Sequence, residues 1–474
     1  MQRRWRATVR LLTVTAAMGG VLLGAGRLAA QTPPPGTAGS LAVPTVNPDE
    51  SARLFASPKG EMFRLSQTEG DPRSGGGTLQ LDVAGPQDTW QSALLLRSSD
   101  AGVSIRDGDL AFGPNGQMAM VYRWWRTTPR AKQLRVALSE DGGKTWSEPT
   151  TQVDGSGMAF DPRVVWTKGK GLVVAWTDER RRQKLFDVYA RRSPDGGVTW
   201  EPEQLLSRFP RNGPADIYVR PRILSDGDKL WTIWVGLRGT RSELYLNRST
   251  DGGKTWTDPV ALSGESRSIF GQILLRAGSH LLAIWHDTPG QADRVFAASS
   301  SDDGQTWTAP VRVDHLAAEG PAVKSSAAVL KPDGEALVVW QDARNGRDDI
   351  FMARSTDGGR TWGTEDLRMD MDDAGTGVSR FPRLALAPDG RVALAWEDDR
   401  AGYEAVYVRV RSAGTKREWG PEILVTPPSG KLAARLPDAV WGPAGLLLVW
   451  QIWDNTLAPA RIEKRSASRL LPLK

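Results

Sequence analysis

The chain contains no cysteine among its 474 residues and only three histidines, His280, His286 and His315. The first absence excludes disulfide bonds, thiol catalysis, thiolate zinc sites and a lipid-anchored cysteine. Three scattered histidines leave too few imidazoles for a histidine-rich metal site or a histidine-based catalytic triad. We therefore expect no metal and no cofactor, and a fold held together by packing alone.

The chain also has little net positive charge once the first 30 residues are set aside. The whole chain carries +6, but residues 1–30 hold five arginines and no acid, which leaves +1 for the remainder. The last stretch, Arg461 to Lys474, has five bases and one acid, so residues 31–460 carry about −3. This balance argues against nucleic acid as a partner.

The basic start of the chain predicts export. It is followed by an apolar stretch from Leu11 to Ala25 and a cleavage motif ending at Ala30, so residues 1–30 are predicted to be a signal peptide. An anchoring helix is the alternative, but three glycines break the apolar stretch, which is shorter than about 18 residues. Residues 31–50 are rich in proline and predict a linker. We expect a periplasmic or secreted protein with no stable membrane insertion after signal removal.

A repeated motif, Ser-x-Asp-x-Gly-x-Thr-Trp, dominates the rest of the chain. Intact copies begin at Ser139, Ser193, Ser249, Ser300 and Ser355, and a decayed copy runs from Ser412 to Trp419 with Gly414 at the Asp position. Successive copies are separated by 54, 56, 51, 55 and 57 residues. This period is close to one blade of a β-propeller.

A second repeat has the same period. Apolar runs that end in tryptophan occur seven times between Met120 and Trp450, each after a glycine-containing turn, and helical periodicity is nearly absent. The sequence therefore predicts an all-β propeller over residues 105–466, with seven blades favoured and six as the alternative. Strands within residues 51–104 are expected to pair with the last blade and close the ring, and residues 467–474 form a basic tail.

The motif is an Asp-box, and residues 105 to about 460 resemble the sialidase-like propellers, also called BNR-repeat proteins. The resemblance implies that each box lies on the turn between the third and fourth strands, on the face opposite the ligand site. Asp, Ser and Gly suit such a turn because the side chains capture backbone N–H groups and glycine adopts left-handed conformations. We therefore interpret the boxes as structural.

A further motif, Trp-x-Asp-x-Arg, is expected on the opposite rim, at Trp176, Trp340 and Trp396 with a partial copy at Trp285. Because it recurs in several blades, we favour a structural Asp–Arg brace over a catalytic role. Thirteen of the 20 tryptophans belong to the two repeats. Only the remainder are predicted to be available to a ligand, and these include Trp166, Trp231, Trp441 and Trp453.

The resemblance also implies three arginines that hold a sugar carboxylate, a tyrosine nucleophile activated by a glutamate, and an aspartate acid. A guanidinium matches a carboxylate geometrically. The candidate substrate-binding residues are Arg380, Arg435, Arg222, Arg163 and Arg383. The candidate catalytic residues are Tyr403, Glu404, Asp187 and Asp349.

The chain departs from the family pattern in ways that leave catalysis open. The family's Arg-Ile-Pro motif precedes the first box, whereas the two similar sequences here, which begin at Arg380 and Arg435, lie near the end. The residue 24 positions after Arg380 is Glu404 rather than an aspartate. The first hypothesis is an exo-glycosidase acting on terminal sialic acid or a related acidic sugar. The alternative is a non-catalytic, monomeric propeller that binds a glycan or an envelope protein.

Overall fold

The computed structural model describes residues 52–68, 77–85, 89–98, 102–128, 130–147, 151–180, 185–208, 217–415, 418–426, 432–454 and 464–472. Within these ranges the chain consists of strands and turns and contains no helix, so none that is long and apolar enough to cross a membrane. The predicted signal peptide and linker lie outside the described residues.

Thirty-one strands form eight antiparallel sheets, which are the blades of the propeller. Blade 1 contains β1 (Arg53–Ala56), β2 (Met62–Thr68), β3 (Thr78–Ala84) and β4 (Trp90–Arg97). Blade 2 contains β5 (Val103–Phe112), β6 (Met118–Arg126), β7 (Ala131–Ser139) and β8 (Thr151–Gln152). Blade 3 contains β9 (Ala159–Trp166), β10 (Leu172–Asp178), β11 (Asp187–Ser193) and β12 (Gln204–Leu205). Blade 4 contains β13 (Ile217–Asp226), β14 (Lys229–Arg238), β15 (Arg241–Ser249) and β16 (Val260–Ala261).

The second half of the chain repeats this plan with one shorter sheet. Blade 5 contains β17 (Ile269–Ala277), β18 (His280–Asp287), β19 (Arg294–Ser300) and β20 (Val311–Arg312). Blade 6 contains β21 (Lys324–Leu330), β22 (Ala336–Asp342), β23 (Asp349–Ser355) and β24 (Leu367–Arg368). Blade 7 contains β25 (Ser379–Leu386), β26 (Val392–Asp398), β27 (Ala405–Arg411) and β28 (Ile423–Leu424). Blade 8 contains β29 (Leu432–Gly442), β30 (Gly445–Asp454) and β31 (Lys464–Leu471).

The predicted blade count of seven, with six as the alternative, is wrong. Four strands of the segment 51–104, from Arg53 to Arg97, form a blade of their own and pair only with one another, while β5 of blade 2 begins at Val103. The proposed ring closure, in which strands of this segment pair with the last blade, is not shown. The segment predicted as a basic tail, 467–474, begins inside β31.

Neighbouring blades pack through apolar side chains. Eight buried clusters are found in the described residues, one for each pair of neighbouring sheets and one between blades 1 and 8. The Leu54 N–H also donates a 2.8 Å hydrogen bond to Asp438 Oδ2, and Trp90 Nε1 donates to Ser468 Oγ at 2.7 Å. Blades 1 and 8 are therefore in contact although no strand is shared between them.

The Asp-boxes occupy the turns between the third and fourth strands, as predicted. At Ser249, the hydroxyl donates to Asp251 at 2.8 Å and accepts the Gly253 N–H at 2.9 Å. Asp251 in turn accepts the backbone N–H and the hydroxyl of Thr255. Each of the five intact boxes repeats these bonds. The box side chains are engaged in holding the turn, which supports their structural interpretation.

The turn at the decayed box is stabilised in a different way. In the strand ladder, Arg411 pairs with Val392 where the box serine of blade 6, Ser355, pairs with Ala336. Its side chain is almost fully buried, and its guanidinium donates two hydrogen bonds to Glu335 of blade 6, at 3.0 and 2.6 Å. A salt bridge between blades therefore replaces the turn bonds of an intact box.

Candidate functional site

A one-residue bulge interrupts the innermost strand of blades 2 to 8. The register shifts by one residue at the bulge, and in each bulge one residue has a positive φ between 38° and 62°. These residues are Asp107, Asp161, Arg220, Gly271, Ser325, Phe381 and Leu436. In four of the bulges the next residue is proline, which has no N–H to contribute to a ladder. The Arg-x-Pro sequences therefore mark bulges.

The second residue after each positive-φ residue occupies an equivalent position in every blade, which we call the channel layer. Each pairs with the residue just before the tryptophan position of the second strand, as Arg383 pairs with Ala395. In blade 1 this position belongs to Arg53, which pairs with Leu65. From blade 1 to blade 8 the channel layer reads Arg53, Asp109, Arg163, Arg222, Ile273, Ala327, Arg383 and Asp438.

The charges of the channel layer act on one another across several blades. Burial, followed by the Arg163 charge, holds the pKa of Arg222 well below its usual range, and Arg53 of blade 1 contributes in the same direction. Arg53 contacts Asp109 at 3.3 Å, and burial lowers its own pKa. Blades 1 and 4 are not neighbours in the chain. Their arginines can influence one another only because the innermost strands surround a common channel.

Arg383 and Asp438 form the other part of the layer, in blades 7 and 8. Burial lowers the pKa of Arg383 and raises that of Asp438, and each opposes the shift of the other through its charge. Three of the five predicted substrate-binding arginines, Arg163, Arg222 and Arg383, are thus members of one repeated layer. Each donates a hydrogen bond to the carbonyl of the proline before it.

Arg380 and Arg435 lie at a different level, three residues before the layer, on the rim opposite the Asp-boxes. The Arg380 side chain is 41% exposed, and its nearest described carboxylate is Asp348, at 3.9 Å. Arg435 donates to both carboxylate oxygens of Glu404, at 2.6 and 2.9 Å. Its guanidinium also lies 4.7 Å from the ring centre of Trp453.

Glu397, which the sequence analysis did not select, joins these two arginines. It pairs with Arg380 in the strand ladder and accepts the Leu436 N–H of blade 8 at 3.2 Å. Burial raises the pKa of Glu397 to about 7, and the Glu404 charge adds to this shift while Arg435 and Arg380 oppose it. We call Arg380, Glu397, Glu404 and Arg435 the rim site.

The position of Glu397 recurs in the other blades, immediately after the tryptophan position of the second strand. Gln67, Thr177 and Gln341 stand there and accept the N–H of the positive-φ residue in the next blade, at 2.9, 3.3 and 2.7 Å. These residues latch one blade to the next. Amides and hydroxyls are neutral at all relevant pH, so Glu397 is the titratable residue among these four latches. His286 of blade 5 stands at the same position but contacts the Ser326 hydroxyl, at 2.8 Å, instead of a backbone N–H.

The predicted catalytic residues are spread over three blades. Tyr403 and Glu404 share the loop between β26 and β27, but no hydrogen bond joins their side chains among the described residues. Asp349 of blade 6 is buried and held by Arg368 and by the Asn345 amide, at 3.2 and 2.7 Å. Asp187 of blade 3 is buried and accepts the Ser207 hydroxyl at 3.1 Å. No contact joins the three groups, and their catalytic roles stay predictions.

Two other carboxylate arrangements have structural explanations. Tyr245 donates to Glu243 at 2.5 Å, but this tyrosine is stacked on Trp234 of the second strand, and burial and Glu243 raise its pKa. Asp349, Asp370 and Asp372 lie close enough to surround a metal ion. The Arg368 guanidinium already contacts all three carboxylates, so it supplies the positive charge that a cation would bring.

The Trp-x-Asp-x-Arg motifs are braces, as favoured from the sequence. In blade 6, Asp342 accepts Trp340 Nε1 at 2.9 Å and two hydrogen bonds from the Arg344 side chain. Arg344 also lies over the Phe351 ring, 3.7 Å from its centre. Of the four tryptophans predicted to face a ligand, Trp166, Trp231 and Trp441 are buried, and that prediction is wrong for them.

A family model described as a BNR repeat-like domain matches residues 110–284 and 186–394, which together span more than half of the chain. The chain belongs to the BNR repeat-like family. It is 28% identical over 240 residues to a sialidase of Micromonospora viridifaciens and 27% identical over 251 residues to a sialidase of Bacteroides fragilis. The matches cover 43% and 44% of this chain, but only 35% and 44% of those relatives.

Solved structures with other activities are also similar to this BNR repeat-like chain. Polysaccharide lyase Uly1 is 11% identical, with a TM-score of 0.46 and 89% of each chain covered. The α-L-arabinanase of Penicillium chrysogenum, complexed with arabinobiose, is 14% identical with a TM-score of 0.40. That match covers 77% of this chain and 92% of the arabinanase.

Sequence reasoning missed Arg53, Asp109, Glu397 and Asp438. Arg53 lies in blade 1, which has no box. Asp109 of blade 2 and Asp438 of blade 8 occupy the position that an arginine occupies in the blade before each of them. Glu397 could have been found from the second strands, because the residue after the buried tryptophan is polar in most blades.

Proposed function

We propose that this chain is an exported, periplasmic or secreted glycoside hydrolase of sialidase type, which acts on a terminal sialic acid or a related acidic sugar at the rim site. The observation that carries the proposal is the Glu397 carboxyl, buried at this rim with its pKa raised to about 7. A carboxylic acid that keeps its proton near neutral pH is suited to protonate a departing glycosidic oxygen.

The two arginines of the rim site have different roles in this proposal. Arg380 is exposed, and its contact with Asp348, at 3.9 Å, is too long for a hydrogen bond, so its guanidinium can receive the carboxylate of an acidic sugar. Arg435 is engaged by Glu404 and fixes the position of that second carboxylate. Glu404 thereby supplies the second carboxyl group of the rim site, close enough for its charge to act on Glu397.

The half-buried Trp453 adds an aromatic surface beside Arg435. Aromatic side chains offer an apolar face to a sugar ring while their edges stay polar. The family resemblance and the sialidase relatives support an acidic sugar over a neutral one.

The test is hydrolysis of fluorogenic sialosides and glucuronides by purified residues 31–474 between pH 4 and pH 9. We expect kcat/KM to fall as the pH rises above about 7, because Glu397 then loses its proton. Glu397→Gln should lose turnover, and Arg380→Gln should raise KM more than it lowers kcat. Arg360→Gln is the matched control, since Arg360 lies on the box rim, where it donates to Ser301 at 3.0 Å. Absence of turnover with every acidic glycoside would overturn the proposal.

The second candidate is a non-catalytic propeller that binds a glycan or an envelope protein. It is favoured by the closed Arg435–Glu404 pair and by the lack of a hydrogen bond between Tyr403 and Glu404 in the described loop. A glycan array probed with the same protein separates the two functions. Retained binding without turnover, lost in Arg380→Gln, would establish the binding function.

A further inference from the structure

The channel layer contains more positive than negative charge at one end. Around Arg53, Arg163 and Arg222 lie the carboxylates of Asp109, Asp161 and Asp107. The last of these is paired with Arg123 at 2.8 Å. Asp438 of blade 8 also acts on Arg53 but is shared with Arg383, so five guanidiniums, counting Arg383, face four carboxylates among the described residues. An unbalanced charge in a buried setting is unfavourable unless an ion of opposite sign accompanies it.

Hydrogen-bond donors in this region are also unpaired. The Nε atoms of Arg163 and Arg222 are buried and have no hydrogen-bond partner among the described residues. Arg163 as a whole is only 8% exposed, and within the described residues its side chain donates a hydrogen bond to the carbonyl of Pro162. Buried donors are nearly always satisfied by protein, water or a ligand. The Nε atom of Arg383 is unpaired in the same way, so the unpaired donor indicates an acceptor only where a cavity adjoins it, as at Arg163.

A small cavity lies beside Arg163, whereas Arg222 does not line it. It offers about 20 Å³ to the centres of water-sized atoms and is lined by Arg53, Arg163, Asp107 and Asp161, with Leu65 and Leu79 as its apolar wall. This space holds one small ion and is too small for a sugar ring. The occupant must contact two arginines and two aspartates together.

We propose that this cavity binds one inorganic phosphate ion, held by Arg53 and Arg163, with the Arg222 charge supporting it. Phosphate matches the mixed lining because it accepts hydrogen bonds from guanidiniums and, near neutral pH, still carries a proton that it can donate to a carboxylate. Asp161 is the acceptor for that proton; no hydrogen bond to its side chain is formed within the described residues. Sulfate has no proton at this pH, so the Asp161 carboxylate repels it.

The site is independent of the glycosidase proposal, because it uses none of the four rim residues. It lies in blades 1 to 4, whereas the rim site lies in blades 7 and 8. Its two aspartates also have left-handed backbones, with φ of 54° at Asp107 and 50° at Asp161, which turn these residues out of the regular strand. Arg163 has an equivalent in blade 7, Arg383, that does not line the cavity.

The experiment is equilibrium dialysis of phosphate-free protein, residues 31–474, against radioactive phosphate, with sulfate, N-acetylneuraminate and glucuronate as competitors. We expect one phosphate per chain, and competition by sulfate at least about tenfold weaker, since one charge-assisted hydrogen bond is replaced by repulsion. Phosphate should also raise the melting temperature at constant ionic strength. Absence of binding, or equal affinity for sulfate, would overturn the proposal.

Three variants sharpen the test. Arg163→Met should lose phosphate binding and still fold, because Ile273 occupies the equivalent position in blade 5. Arg383→Met is the matched control and should retain it. Asp161→Asn should remove the preference for phosphate over sulfate, a readout that survives if Arg163→Met proves unstable. Binding of a sugar acid in place of phosphate would assign these arginines to the glycan site and refute the inference.

Discussion

The salt bridge between Arg411 and Glu335 gives the sharpest stability prediction. Burial alone would raise the pKa of Glu335, but hydrogen bonds from Arg411, Arg354 and Lys331 outweigh it and lower the pKa from 4.5 to about 2. A fall of this size corresponds to about 3 kcal/mol of folding free energy. Removal of one partner of a buried pair independently suggests about 3–5 kcal/mol.

We therefore expect Arg411→Met to lower the free energy of unfolding at pH 7 by about 3 kcal/mol, the lower end of that range, because Arg354 and Lys331 still contact Glu335. The folded-state pKa of Glu335 is depressed, so its contribution is complete above pH 4.5 and is lost as the pH falls toward 2. The difference between variant and wild type should shrink over the same interval.

The assay is urea unfolding followed by tryptophan fluorescence, at pH 7 and at several values between pH 5 and pH 2. Arg241→Gln is the control, since its partner Glu265 is 53% exposed and surface pairs contribute at most about 1 kcal/mol. An Arg411→Met protein within about 0.5 kcal/mol of wild type at pH 7 would refute the reasoning. So would a pH-independent difference.

Three further predictions concern the latch, the box and the brace. Glu397→Gln should stabilise the protein by about 3 kcal/mol at pH 8.5 but little at pH 4.5. The pKa of Glu397 is raised in the folded state, so the wild-type protein loses stability as the pH rises from 4.5 through 7, and a neutral glutamine avoids this loss. Equal shifts of the urea midpoint at both pH values would contradict this. Ser249→Ala should lower stability by about 1–2 kcal/mol, measured by urea unfolding, and leave any glycoside hydrolysis unchanged. Asp342→Asn should cost about 1–3 kcal/mol, since the Arg344 guanidinium loses one of its two buried carboxylate partners and keeps Asp366; a change in KM alone would argue against a brace.

The sequence predicted seven of the eight blades because two independent signals mark them. Blade 1 lacks both signals: it has no Asp-box, and Ser66 stands at the position of the buried tryptophan, next to Leu65 in the ladder with Arg53. Strands were expected within residues 51–104, and Thr78–Ala84 and Trp90–Arg97 are two of the four found there. The incorrect inference was that residues 51–104, which lack both repeat signals, could only add strands to the last blade.

The site was harder to predict than the fold. Arg163, Arg222 and Arg383 share one structural position, but the sequence shows this only when the extra residue of each bulge is counted. The proximity of Arg53 to Arg222 depends on three blade-to-blade rotations and on no local pattern. The raised pKa of Glu397 comes from burial against blade 8, which periodicity cannot reveal.

The contact between blades 1 and 8 has a consequence for motion. Every other pair of neighbouring blades is joined by the chain itself, whereas this pair depends on one apolar cluster and on bonds such as Leu54 to Asp438. Partial unfolding follows the weakest boundary of a repetitive structure. We therefore expect blades 1 and 8 to separate first, with hydrogen exchange fastest in the strands on the two sides of this boundary. Because Arg53 begins β1 at the same boundary, such a separation should also expose its guanidinium to solvent.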